Sequence, residues 1–133
     1  MTVLSHPARQ SGADLVSTVR IENLSHWYGH GSTRRQVLQS VDLQIAPGEV
    51  VLLTGPSGCG KTTLLTLIGA LRRVQQGDLR VFGHQLKGAG RGQRQQLRRS
   101  IGMIFQGHNL LRCLTAEQNV QMGADLLEGF SYR

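Results

Sequence analysis

The chain of 133 residues is poor in cysteine, in aromatic residues and in long apolar runs. Its two cysteines, Cys59 and Cys113, form no C-x-x-C pair, which argues against a disulfide scaffold and favours a reduced, intracellular setting. Aromatic residues make up only 5% of the sequence, so stacking platforms for single-stranded nucleic acid are not indicated. No apolar run approaches the length of a membrane span, and residues 1–15 lack the core of a signal peptide.

Acidic residues are scarce as well, with 8 Asp and Glu against 15 Lys and Arg, which gives a net charge of +7. Much of the positive charge falls in one stretch, residues 72–99, where Asp78 is the only acidic residue. A run of this kind is usually a solvated face, and nucleic acid or anionic lipid headgroups are the alternative partners. Its members are Arg72, Arg73, Arg80, Lys87, Arg91, Arg94, Arg98 and Arg99.

Glycine, in contrast, is abundant, and residues 55–62 match the phosphate-loop pattern G-x-x-x-x-G-K-[ST]. Glycines allow successive backbone N–H groups to point at phosphate oxygens, and the helix that follows adds free N–H groups and the positive end of its dipole. Lys61 supplies charge to the β- and γ-phosphates, and the Thr62 hydroxyl is placed to bind Mg²⁺. Cys59 is interpreted as a small side chain that occupies space in the loop and has no redox role. The residues predicted to bind the nucleotide are Gly55, Pro56, Ser57, Gly58, Cys59, Gly60, Lys61, Thr62 and Thr63.

Alternation and turn residues predict a coarse order of elements around this loop. Residues 1–15 are predicted to be a flexible tail, and residues 16–133 one partial domain. A helix should follow the phosphate loop, with Arg72 and Arg73 near its C-terminal end. A second helix should start at a capping box formed by Thr115 and Gln118. Strands are predicted near 19–28, 37–45, 50–53, 79–82 and 101–105, and the polar stretch 87–99 has no predicted helix or strand.

The order strand, helix, strand places the phosphate loop in a parallel α/β sheet, but it does not choose between kinases, GTPases and transport ATPases. Three further features narrow the choice. Tyr28 closes an N-terminal strand, where its ring can stack on adenine. Gln106 follows an apolar strand, where its amide can reach the metal or the attacking water. The third feature is the segment Leu-Thr-Ala-Glu-Gln-Asn-Val at residues 114–120.

Together with the phosphate loop, these features make residues 17–127 resemble an ABC transporter ATP-binding subunit, and most of all the DevA-type exporter ATPases of cyanobacteria, relatives of the macrolide and lipoprotein exporter ATPases. The resemblance implies a P-loop NTPase fold, with a parallel sheet core and an N-terminal antiparallel β subdomain. It implies an ATPase using ATP and Mg²⁺, with Tyr28 stacking on adenine. Lys61 and Gln106 would be catalytic, and Thr62 and Gln106 would bind the metal. The implied partners are a transmembrane permease and a second ATP-binding subunit, on the cytoplasmic face of the membrane, with nucleic acid not favoured.

The sequence also departs from that family. The Leu-Ser-Gly-Gly-Gln signature, the apolar Walker B strand ending in Asp-Glu and the switch histidine do not occur, and His84 and His108 are interpreted as ordinary loop residues. We therefore expect an N-terminal portion that binds ATP without turning it over. Two alternatives remain at this point, a guanylate kinase-like nucleotide kinase and a basic nucleic-acid-binding module. The second would bind with an affinity that falls steeply with salt.

Overall fold

The computed structural model describes the backbone of residues 2–6 and, with side chains, residues 17–105 and 110–124. A short 3₁₀ turn lies at Gly31–Thr33. The strands are β1 (Thr2–His6), β2 (Val19–Tyr28), β3 (Arg35–Ile45), β4 (Val50–Thr54), β5 (Gln76–Val81) and β6 (His84–Gln85), and the helices are α1 (Lys61–Ile68), α2 (Arg91–Arg99) and α3 (Ala116–Ala124).

An antiparallel sheet in the order β3-β2-β5-β6 forms the first layer of the fold. β2 lies inside this sheet, with Val19 opposite Ile45 of β3 and opposite Val81 of β5. Val19 and Ile21 are buried, while the residues that alternate with them are exposed, so one face of the strand packs on the core. The predicted N-terminal antiparallel β subdomain is therefore confirmed.

β4, the apolar strand before the phosphate loop, pairs antiparallel with β1, from Thr54 opposite Thr2 to Val50 opposite His6. The sequence predicted a flexible tail at residues 1–15, but the structure places a strand at residues 2–6 of that segment. An apolar strand leaves rows of N–H and C=O groups along its edges, and another extended segment can satisfy them. β1 takes that role for one edge of β4.

The described residues contain no parallel pair of strands, so the parallel sheet expected around β4 is not formed within them. The sequence predicted a strand at 101–105, but these residues form neither a strand nor a helix in the structure. An extended segment becomes a strand only through hydrogen bonds to a neighbour. Here Ile104 is 90% exposed, and no described strand lies beside it.

The hydrophobic core lies between the four-stranded sheet and α1. Leu64 and Leu67 of α1 are fully buried against Leu24, Leu38 and Leu79 of the strands. Burying each leucine contributes about 1.5–3 kcal/mol to stability. The helix predicted after the phosphate loop is therefore formed, and these contacts pack it against the sheet.

α1 ends at Ile68, earlier than the sequence indicated. Gly69 caps the helix, and Ala70 takes a left-handed φ of 54°, which stops the helical path. Arg72 and Arg73, predicted at the C-terminal end of the helix, therefore lie in the loop beyond it, which corrects that prediction.

The two remaining helices differ in how well the sequence predicted them. α2 forms in the polar stretch where no helix was predicted; the Gly90 N–H donates to Gln93 Oε1 (3.0 Å) at its start, and of its residues only Leu97 is buried. α3 starts as predicted, since the Thr115 N–H donates to Gln118 Oε1 (2.9 Å) and the Gln118 N–H donates to Thr115 Oγ1 (3.2 Å). None of the helices in the described ranges is long and apolar enough to cross a membrane.

Candidate nucleotide-binding site

The phosphate loop connects β4 to α1 and lies against β3. Gly60, the last residue before α1, has a φ of 98°, and a Cβ built there would lie 2.7 Å from Leu38 Cδ2 and 2.9 Å from the Val37 carbonyl oxygen. Only glycine fits this position, because a side chain would meet both a positive φ and the backbone of β3. Gly58 also has a positive φ, 79°, but a Cβ there would meet open space.

Lys61 is held inside the curve of the loop. Its Nζ donates to the carbonyl oxygens of Gly55 (2.7 Å) and Pro56 (2.9 Å) and lies 3.6 Å from the Cys59 sulfur. A half-buried ammonium at this place is positioned to exchange loop carbonyls for phosphate oxygens. Gly60 caps α1 without a side-chain hydrogen bond, so the first N–H groups of the helix are open to an anion. This donor set fits a bound phosphate chain.

The two threonines that follow Lys61 have different surroundings. Thr62 is exposed, which leaves its hydroxyl accessible to a metal ion bound with the phosphates. Thr63 is buried, and its hydroxyl is 3.1 Å from the Tyr28 hydroxyl. This contact joins the end of β2 to the first turn of α1, although the two residues are far apart in the sequence.

A pocket of about 540 Å³ opens between these elements, within the size range of small-molecule sites. It brings Tyr28 together with residues of the phosphate loop, although the two lie far apart in the sequence. Arg35 and Val37 of β3 also line it, and no motif in the sequence pointed to them. Its lining residues are Tyr28, Arg35, Val37, Ser57, Gly58, Gly60, Lys61, Thr62 and Thr63.

Some predicted site residues lie elsewhere. Gly55, Pro56 and Cys59 are not in the pocket lining and contact Lys61 instead. Gln106, predicted to be catalytic and to bind the metal, lies outside the described residues, as does His108. His84, interpreted as a loop residue, begins the short strand β6 and is exposed.

The ring of Tyr28 contacts two side chains that do not line the pocket, His26 and Arg72. His26 packs edge to face against it, with ring centroids 5.1 Å apart and planes at 79°. The Arg72 guanidinium lies 4.8 Å from the Tyr28 ring centroid. Burial, and secondarily the positive charge of Arg72, lowers the pKa of His26 from its ordinary value of 6.5. His26 therefore stays neutral beside the arginine at neutral pH.

The fold and the phosphate loop define a P-loop domain. A family model described as ABC transporter matches residues 38–131, and the chain belongs to that family. The match lends no support to the guanylate kinase-like alternative.

Curated relatives in this family have different stated roles. The methionine import ATP-binding protein MetN of Bordetella pertussis is 42% identical over 108 residues, 81% of this chain and 30% of that protein. The lipoprotein-releasing system ATP-binding protein LolD of Xanthomonas campestris pv. campestris (strain 8004) is 40% identical over 107 residues, 80% of this chain and 45% of that protein. The chain thus spans less than half the length of these relatives.

Two solved structures of ATP-binding cassettes superpose on the fold of this chain. The dimeric structure of the ATP-binding cassette MJ0796 in a post-hydrolysis state, bound to ADP and Pi, superposes with a TM-score of 0.70 and 26% sequence identity. The superposition covers 86% of this chain and 50% of that chain. A second dimeric MJ0796 structure, described as a bacterial ABC transporter cassette, gives a TM-score of 0.67 at 27% identity. The predicted P-loop NTPase fold is therefore confirmed.

Proposed function

We propose that the chain is the ATP-binding part of an ABC transporter subunit of the exporter type, and that ATP binds in the pocket between Tyr28 and the phosphate loop. The observation that carries the proposal is that one pocket joins an aromatic ring at the end of β2 to the glycine loop, Lys61 and the start of α1. A ring and a phosphate cradle that line one pocket suit a ligand with a flat base and a charged tail.

Each residue of the site has a separate task. The Tyr28 ring stacks on the base, while the glycine loop and the N-terminus of α1 donate N–H groups to the phosphates. Lys61 leaves the carbonyls of Gly55 and Pro56 and donates to the β- and γ-phosphates. Thr62 would hold Mg²⁺ through its exposed hydroxyl, and Gln106 is proposed as a further ligand. Mg²⁺, when bound, neutralises charge on the β- and γ-phosphates.

The direction of transport and the partners belong to this proposal too. The exporter type is favoured by the resemblance of residues 17–127 to the DevA-type exporter ATPases and by relatives named for lipoprotein release and macrolide export, at 40% and 36% identity. A relative named for methionine import, at 42%, is equally similar, so identity alone does not choose the direction. A permease and a second ATP-binding subunit are proposed as partners at the cytoplasmic membrane face; the dimers described for MJ0796 support the second.

The test is titration of the 133-residue chain with ATP and with pyrophosphate. We expect Lys61→Ala to abolish binding of both ligands, because it removes the side-chain charge aimed at the phosphates. Lys87→Ala, which removes the same charge from an exposed loop position, is the matched control and should bind normally. Tyr28→Ala should weaken ATP more than pyrophosphate. Equal losses for the two ligands would remove Tyr28 from the base site, and normal binding by Lys61→Ala would overturn the proposed site.

A further inference from the structure

The loop after α1 reaches back to the end of β2, next to Tyr28. Gln75 makes two hydrogen bonds to the backbone of Trp27: the Trp27 N–H donates to Gln75 Oε1 (2.8 Å), and Gln75 Nε2 donates to the Trp27 carbonyl oxygen (3.0 Å). The pairing between β2 and β5 ends at Ser25 opposite Gln76. On the β5 side of β2, the Gln75 side chain therefore extends the hydrogen bonding up to the residue before Tyr28; on the other side, β3 pairs with β2 as far as Tyr28 opposite Arg35.

Arg72, in the same loop, contacts the Tyr28 ring. Its guanidinium is 4.8 Å from the ring centroid, within the range of a cation–π interaction. Arg72 is exposed and is not among the residues that line the pocket, so it approaches the ring from outside the pocket. Because the Tyr28 hydroxyl also contacts Thr63 Oγ1, the ring is held at its face and at its hydroxyl before any ligand binds.

We propose that Arg72 and Gln75 are positioning residues that hold the Tyr28 ring ready to stack on the base of the nucleotide. The inference rests on the proposed function, in which Tyr28 stacks on adenine. A platform that is ordered before the ligand arrives loses less conformational entropy on binding. The two residues therefore increase the share of affinity that comes from the base, and leave the share that comes from the phosphates unchanged.

Arg72→Ala tests the ring contact against a neighbour of equal charge. We expect its ATP affinity to fall about two- to fivefold, the range of an exposed cation–π contact. Arg73→Ala is the matched control, because Arg73 is exposed in the same loop and has no described contact with the ring. Inorganic tripolyphosphate should bind equally to the two variants, since each has lost one positive charge from the same loop. Arg72→Lys, which keeps a cation, should recover part of the ATP affinity.

Gln75→Glu tests the backbone contact independently. The substitution keeps the size of the side chain and its acceptor for the Trp27 N–H, but loses the donor to the Trp27 carbonyl oxygen. We expect weaker ATP binding than in Gln76→Glu, which adds the same negative charge at the neighbouring position, and equal tripolyphosphate binding by the two variants. Trp27 is the only tryptophan of the chain, so its fluorescence reports ligand binding beside Tyr28. Circular dichroism of each variant checks that the fold is kept.

The outcomes separate this inference from the proposed function. If Arg72→Ala weakens ATP no more than Arg73→Ala, or weakens both ligands equally, Arg72 acts through general charge and the inference is wrong. Tighter ATP binding by Arg72→Ala would mean that the arginine obstructs the ring, which also overturns it. If Lys61→Ala abolishes binding while both loop variants behave like their controls, only this inference fails. If the wild-type chain binds neither ligand, the proposed function fails and the inference fails with it.

Discussion

His26 is a buried titratable side chain next to the candidate site. It is 4% exposed, and its Nδ1 has no hydrogen-bond partner within the part of the chain that the structure describes. Burial and the nearby Arg72 favour its neutral form and lower its pKa. A proton on His26 would place an unpaired charge in the core beside a second cation. Lowering the pH should therefore destabilise the folded region around His26 and Tyr28.

This arrangement predicts a pH dependence of stability. Below pH 6.5, the ordinary pKa of histidine, the unfolded chain takes up a proton that the folded chain does not, so the free energy of unfolding falls as pH falls toward the lowered pKa. The slope due to this residue is at most about 1.4 kcal/mol per pH unit. Urea unfolding at pH 7.5 and at pH 5.5 measures it. His26→Gln should reduce the dependence, whereas His84→Gln, at an exposed position, should keep it. Identical pH profiles for the wild type and His26→Gln would contradict this account.

At the scale of elements, alanine substitutions at two glycines of the phosphate loop should differ in their cost to stability. Gly60→Ala adds a methyl group 2.7 Å from Leu38 Cδ2 in a residue at φ 98°, whereas Gly58→Ala adds one in open space at φ 79°. Both variants carry the strain of a left-handed residue, and only the first also overpacks β3, at a cost of about 1–3 kcal/mol. Urea unfolding should therefore show Gly60→Ala to be less stable than Gly58→Ala by that amount. Equal stabilities would mean that β3 moves freely and does not position the loop.

The capping box of α3 gives a prediction at a single N–H group. The Gln118 N–H donates to Thr115 Oγ1, so Thr115→Ala removes its acceptor. Loss of such a cap costs about 1 kcal/mol, which corresponds to roughly fivefold faster amide exchange at Gln118. Thr115→Ser keeps the hydroxyl and should exchange like the wild type. Fast exchange in both variants would show that the hydroxyl does not cap the helix.

The sequence predicted those elements whose signal is local. β2 and β3 alternate, the phosphate loop has fixed spacing and α3 has its capping box, so the pattern alone placed them. It missed α2, because Leu97 is its only buried residue and leaves no apolar period. A strand at 101–105 was predicted from apolar character, but pairing depends on a neighbour far along the chain. The contacts of Arg72 and Gln75 depend on the path of the loop after α1, which no local pattern encodes.

At the scale of the molecule, the described part of the chain exposes large apolar side chains at several places, among them β4 and the segment before residue 106. Val50 is 78% exposed, Leu52 is 60% exposed and Ile104 is 90% exposed. In the described part of the chain, β4 pairs only with β1, which leaves its other edge open. Large apolar side chains beside an unpaired strand edge are a site for association with other chains. We therefore expect the 133-residue polypeptide to be prone to aggregate, and activity must be measured on its monodisperse fraction.

For that fraction, we predict ATP binding without steady turnover. Binding uses the loop, the start of α1 and Tyr28, all of which line or support one pocket. Catalysis of phosphoryl transfer depends on positioned charges, and the printed sequence has no apolar strand ending in Asp-Glu to supply a carboxylate and a second Mg²⁺ ligand. Release of phosphate should therefore stay at the level of Lys61→Ala, measured over many ATP equivalents. Steady turnover that Lys61→Ala abolishes would show that these 133 residues already hold a complete catalytic site.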